Sequence, residues 1–106
     1  MARALITAPP TAKRGEVIEI RALIGHPMET GIRVNNLGRL IPRDLIRRFT
    51  CHDGNDLVFS AELHAAVAAN PYIAFPLVAQ ASTTLRLQWE GDNGFRQTEN
   101  ITLQVT

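Results

Sequence analysis

The feature that most constrains this chain is a two-residue alternation of apolar and polar side chains. Between Val17 and Ile24, the residues Ile18, Ile20, Ala22 and Ile24 fall on one side, and Glu19 and Arg21 on the other. Alternate side chains point to opposite faces only in a strand, so this run predicts a half-buried β-strand. The pattern recurs at the far end of the chain. Leu85, Leu87 and Trp89 share a face, Glu90–Gly94 is rich in turn residues, and Ile101, Leu103 and Val105 share a face again. That order predicts a hairpin of long strands.

Leu45–Cys51 and Leu57–Leu63 read as two more strands. In the first, Leu45, Phe49 and Cys51 are expected on one face and Ile46, Arg48 and Thr50 on the other. In the second, Leu57, Phe59, Ala61 and Leu63 are expected to face inward. The intervening His52-Asp53-Gly54-Asn55-Asp56 supplies residues that tolerate positive φ, which a tight turn needs. Arg3–Thr7 and Tyr72–Ala81 complete the set of extended segments. Pro71 and Pro76 bar the latter from a helix and from a central place in a sheet. The one helix-like run, Leu63–Asn70, allows at most one or two turns.

About seven antiparallel strands in 106 residues predict an all-β, immunoglobulin-like β-sandwich, one domain spanning 1–106, with Trp89 in its core. Hydrophobic residues make up 45% of the chain, enough for one core at this length. A single cysteine excludes an internal disulfide framework. No apolar run reaches the roughly 18 residues of a membrane span, so no membrane contact is expected. The N-terminal apolar stretch is too short, and too soon broken by Pro9-Pro10, for a signal peptide. The residues alone therefore suggest a cytoplasmic protein, or one carried elsewhere by a partner.

Catalytic patterns are missing. Ser60 and Ser82 sit in no nucleophile elbow, and Cys51 and His52, as strand neighbours, point to opposite faces. No phosphate-cradling glycine loop is present, so no cofactor is expected. His26-Pro27-Met28 pairs an imidazole with a thioether, soft ligands that suit copper, and a periplasmic copper-binding module using His26 and Met28 is the second reading.

Gly25–Pro42 holds three glycines, two prolines and two adjacent asparagines and has little periodicity, as expected of a long excursion between strands. Charge concentrates near it. From Gly31 to Thr50, five arginines against Asp44 give +4, leaving −3 for the rest of a chain of formal charge +1. One lysine and 6% aromatic residues offer no stacking platform, so nucleic acid is not the expected partner. Arginine and methionine on a loop with no packing role point instead to a protein interface.

Four strings in this region closely resemble the SoxZ family. They are Gly25-His26-Pro27-Met28-Glu29-Thr30-Gly31, Gly38-Arg39-Leu40-Ile41-Pro42-Arg43, Phe59-Ser60-Ala61-Glu62-Leu63-His64 and Ala69-Asn70-Pro71-Tyr72. The resemblance runs from about Gly15 to Val105, with Ala65 standing where many relatives carry proline. It implies an immunoglobulin-like, non-catalytic subunit that forms a heterodimer with SoxY, which carries sulfur intermediates on a cysteine in a flexible arm. Other Sox enzymes act on that adduct. It also implies a periplasmic site of action, reached by co-export with SoxY, and leaves a homodimer open when the chain is isolated. His26, Met28, Glu29, Arg33, Arg39, Arg43, Cys51 and Tyr72 are the expected partner contacts; Cys51 by itself reads first as a small buried hydrophobe at a strand end, with a bridge to the partner as the alternative.

Overall fold

The alternation at Val17–Ile24 folds into the strand it predicts, with Ile18, Ile20, Ala22 and Ile24 all buried. The structure is a computed structural model and describes residues 2–106. Its strands are β1 (Ala4–Thr7), β2 (Thr11–Ala12), β3 (Val17–Ile24), β4 (Ile46–Asp53), β5 (Asp56–Glu62), β6 (Tyr72–Val78), β7 (Thr83–Gly91) and β8 (Arg96–Val105). They form two sheets, a small one ordered β1-β3-β6 and a large one ordered β2-β8-β7-β4-β5. The result is an all-β, immunoglobulin-like sandwich. All pairings are antiparallel except that of the two-residue β2, which runs parallel to β8. Pro76 lies in β6, an edge strand, where a missing N–H costs no ladder bond.

The core lies between the sheets. Phe49 on β4 is its hub, with ring centroids 5.2 Å from Trp89 and 5.9 Å from Phe75 across the sandwich. Phe59 stacks on Phe75 at 4.3 Å and tilts against Phe49 at 6.1 Å. Such pairs contribute roughly 0.5–1.5 kcal/mol each beyond their area burial.

Two bulges change the expected faces. Arg47 is an extra residue between the Ile46–Gly91 and Arg48–Glu90 pairs. It shifts the phase of β4, so Ile46 joins Leu45, Phe49 and Cys51 in the core rather than facing out. Val58 is extra between Cys51–Phe59 and His52–Leu57, and beyond it Leu57 turns to solvent instead of inward. The Leu63–Asn70 run forms no helix; a turn closed by Val67 N–H on the His64 carbonyl, 3.0 Å, is all that forms.

Gly91 marks a close approach of backbones. A Cβ there would collide with the Leu45 carbonyl oxygen, so the chain entering β4 can pass directly over β7.

The molecule is long. Its Cα extents are 58 × 20 × 20 Å and its radius of gyration 16.1 Å, against about 13 Å for a compact chain of this length. The longest strand, ten residues, accounts for about 33 Å. The rest comes from the segment between β3 and β4.

Candidate partner-binding surface

The Gly25–Pro42 excursion is not a floppy loop. It folds as a narrow hairpin arm. At its base Glu29 and Asp44 exchange backbone bonds of 2.9 and 2.8 Å. Further out Ile41 N–H reaches the Arg33 carbonyl and Asn35 N–H the Arg39 carbonyl, both at 2.8 Å. The Asn35 side chain closes the tip by accepting from Leu37 N–H at 2.8 Å and Arg39 N–H at 3.1 Å. Gly38 takes the positive φ, 75°, that this turn requires. Seven residues beyond the base pair span about 23 Å, which matches the extra length of the molecule.

The root of the arm is fixed from both sides. His26 donates its N–H to Asn70 Oδ1 at 3.0 Å and accepts from Asn70 N–H at 2.8 Å. Its Nδ1 accepts the Met28 N–H at 3.0 Å, its Nε2 faces Asp44 Oδ1 at 3.6 Å, and its ring meets Phe95 edge-on at 5.1 Å. Met28 holds a left-handed φ of 51°, and its Sδ accepts the Ile46 N–H at 3.3 Å. On the return strand, Asp92 accepts Leu45 N–H at 3.1 Å, pairs with Arg43 at 3.1 Å and faces Arg47 at 3.6 Å. Partial burial pushes the Asp92 carboxyl up, but the Leu45 N–H and the two guanidinium groups outweigh it and hold it below the usual carboxylate range. Arg33 forks onto Glu29 and holds that carboxyl low as well.

Among its polar residues the arm presents four large apolar side chains to solvent. Ile32 is 82% exposed, Val34 55%, Leu37 80% and Leu40 65%. Four large apolar side chains held in water on a two-stranded ribbon make the kind of exposed patch that marks an interaction surface. Arg39 is exposed beside them, and no ion pair among the described residues engages it. A second apolar strip lies at the same end of the body, where Leu5, Leu23 and Tyr72 stand in register across the outer face of the small sheet.

The structure sorts the expected contacts. Glu29, Arg33 and Arg43 gather at the base of the arm, Arg39 lies near its tip, and Tyr72 is exposed on the small sheet. His26, Met28 and Cys51 are corrected: all three are buried and present no side chain to a partner. His26 Nδ1 and Met28 Sδ each already accept a backbone N–H and both side chains are buried, so neither is presented as a free donor for copper. Cys51 lies between the sheets, where burial and then the nearby Asp53 charge push its thiol up to about 11. A thiol so placed is inert and does not bridge to a partner. Sequence pattern alone does not single out Ile32, Val34, Leu37 and Leu40; the available signal is four large apolar residues in a segment with no strand neighbours to bury them.

A family model described as sulphur oxidation protein SoxZ matches residues 6–102. The chain belongs to the SoxZ family. Membership gives it a role in the Sox sulfur-oxidation system. No curated protein sequence matches it. Among solved structures, a superoxide reductase (neelaredoxin) from Ignicoccus hospitalis superposes with a TM-score of 0.75 at 16% identity, covering 97% of this chain and 80% of that one. A putative superoxide reductase from Thermotoga maritima gives 0.73 at 17% identity, covering 97% and 85%. The sulfur carrier protein SoxY from Chlorobium limicola f thiosulfatophilum gives 0.68 at 11% identity, covering 96% and 74%. At these identities the likeness is one of fold alone. Among the described residues no group of three or more His, Cys, Asp or Glu side chains gathers as a metal site would require.

Proposed function

We propose that this SoxZ-family chain is the non-catalytic subunit of a heterodimer with a SoxY-type carrier, and that the carrier bears the covalent sulfur intermediates of thiosulfate oxidation. The observation that carries this reading is the arm, a rigidly rooted projection that holds four large apolar side chains, Ile32, Val34, Leu37 and Leu40, out in solvent among its polar residues. The Leu5–Leu23–Tyr72 strip at the same end extends the available surface, with Tyr72 as an aromatic anchor. The burial of the sole thiol supports the division of labour, because a reactive sulfur has to be held by another molecule. The shared fold of SoxY and this chain suits a pair of like sandwiches laid together. The complex works in the periplasm, with this subunit exported alongside its carrier, and presents the carrier to the other Sox enzymes.

Co-expression with a SoxY-type subunit, followed by affinity capture of the carrier, tests the reading. The expected result is a 1:1 complex that loses this chain when Leu37 and Leu40 are both replaced by Glu. Failure of the unaltered chain to co-purify with the carrier would overturn it.

A further inference from the structure

The arm and the opposite end of the body are complementary. β3 ends and β4 begins at the arm, so the Asp53–Asp56 turn and the β6–β7 connection mark the far end. A cavity of about 190 Å³ opens there, lined from both sheets by Asp53, Asp56, Val58, Leu77, Val78 and Leu103. Leu103 is buried within it, whereas Asp56 is exposed. Asp53 accepts the Thr83 hydroxyl at 2.6 Å, and no ion pair among the described residues engages either carboxylate.

The arm tip carries the converse set. Leu37 and Leu40 flank Arg39, which lacks a carboxylate partner. A cavity of about 150 Å³ admits a benzene ring, so one of 190 Å³ has room for a leucine side chain. Within the arm Arg33 is paired with Glu29, and Arg43 at its base is paired with Asp92, which leaves Arg39 as the charge at the tip, and Asp53 and Asp56 are its counterpart at the far end, so one copy's arm tip is attracted to another copy's distal end. The two surfaces sit at opposite ends of a molecule 58 Å long, so no copy can fill its own cavity.

We propose that isolated copies of this chain associate head to tail, with Leu37 of one copy seated in the distal cavity of the next and Arg39 set against Asp53 and Asp56. The contact joins two different surfaces, so it grows as an open chain rather than closing as a two-fold dimer. One hairpin tip buries less than a standard interface, so the association is weak and depends on concentration. The inference does not rest on the proposed heterodimer. Where a carrier also covers the arm, it caps growth.

Sedimentation velocity of the purified chain over a concentration series, at low and high salt, tests it. Species beyond a dimer are expected to rise with concentration and to shrink in high salt. Leu37→Glu and Val58→Glu should each weaken association by about tenfold or more. Both positions are exposed, and buried Trp89 emission checks that each variant remains folded. A mixture of the two variants retains one sound arm and one sound cavity, and so should give a discrete dimer. Arg39→Glu and Asp56→Arg should each weaken association, and the doubly reversed chain should recover it. A monomer at every concentration would overturn the proposal. So would a closed dimer broken by Leu37→Glu but not by Val58→Glu, or a mixture no larger than its parts. Loss of carrier binding in Leu37→Glu with self-association untouched would assign the arm tip to the carrier and equally overturn it.

Discussion

Met28→Ala probes how the arm is held to the sandwich. Met28 is buried, its Sδ accepts the Ile46 N–H at 3.3 Å, and its own N–H is bound by His26 Nδ1 at 3.0 Å. Alanine removes every side-chain atom beyond Cβ. Truncating a buried methionine to alanine costs about 2–5 kcal/mol. Met28 sits where loop meets core and its neighbours can partly close the gap, so the lower half of that range applies, about 2–3 kcal/mol. The Ile46 N–H is also left without its sulfur acceptor, adding up to about 1 kcal/mol. The expected loss is therefore about 3 kcal/mol, out of the roughly 5–15 kcal/mol that holds a domain of this size. At about 4–8 °C per kcal/mol, the melting point should fall by more than about 10 °C. Met28→Leu keeps the volume and should cost about 1 kcal/mol. Both variants keep the left-handed backbone, so its strain cancels between them. Urea unfolding followed by emission of the sole tryptophan, fully buried Trp89, measures the difference. A Met28→Ala loss within about 0.5 kcal/mol of zero would refute the argument, and so would Met28→Leu doing equal damage.

Cys51 should resist thiol reagents in the folded chain and react only once unfolded, and a Cys51→Ser variant should bind the carrier with unchanged affinity. Its thiol is raised from about 9 to about 11, so the neutral form favoured by the fold gives stability that is whole below pH 9 and lost as pH climbs toward 11; a Cys51→Ala chain should lack that slope in alkaline melts. Asp92 has the opposite sign. Its depressed carboxyl gives stability that is present above the ordinary carboxylate range and is lost as pH falls below that range through the lower value of the folded state, so the gap between wild type and Asp92→Ala should close in acid melts. Arg39→Glu should slow association with the carrier by about 2–10-fold at low salt and little at high salt, measured as an on-rate. Arg43 is a poorer probe of steering, because it is already paired with Asp92 and its reversal disturbs the root of the arm.

Much of the sandwich was legible because one periodicity dominates each strand. β3 forms at its expected limits, Val17–Ile24, since its four apolar residues have no other way to share a face. Pro76 pointed to an edge, and β6 is one. The bulges at Arg47 and Val58 were not legible, because an inserted residue leaves the local alternation almost intact while inverting the faces of the residues beyond it. In sequence the arm reads as an excursion but not as a ribbon. Its pairing depends on the Asn35 side chain closing a tip, a local bond that no periodicity reports. His26 and Met28 looked like surface chemistry because their partners are distant in sequence: Asn70 clamps the first and the Ile46 N–H occupies the second.

Native mass spectrometry of the complex, isolated after co-expression and exposure to thiosulfate with the remaining Sox enzymes, tests the central claim most directly. The account predicts one copy each of this chain and its carrier, with every sulfur-dependent mass increase on the carrier. A sulfur adduct on Cys51, or this chain turning over thiosulfate with no carrier present, would contradict it.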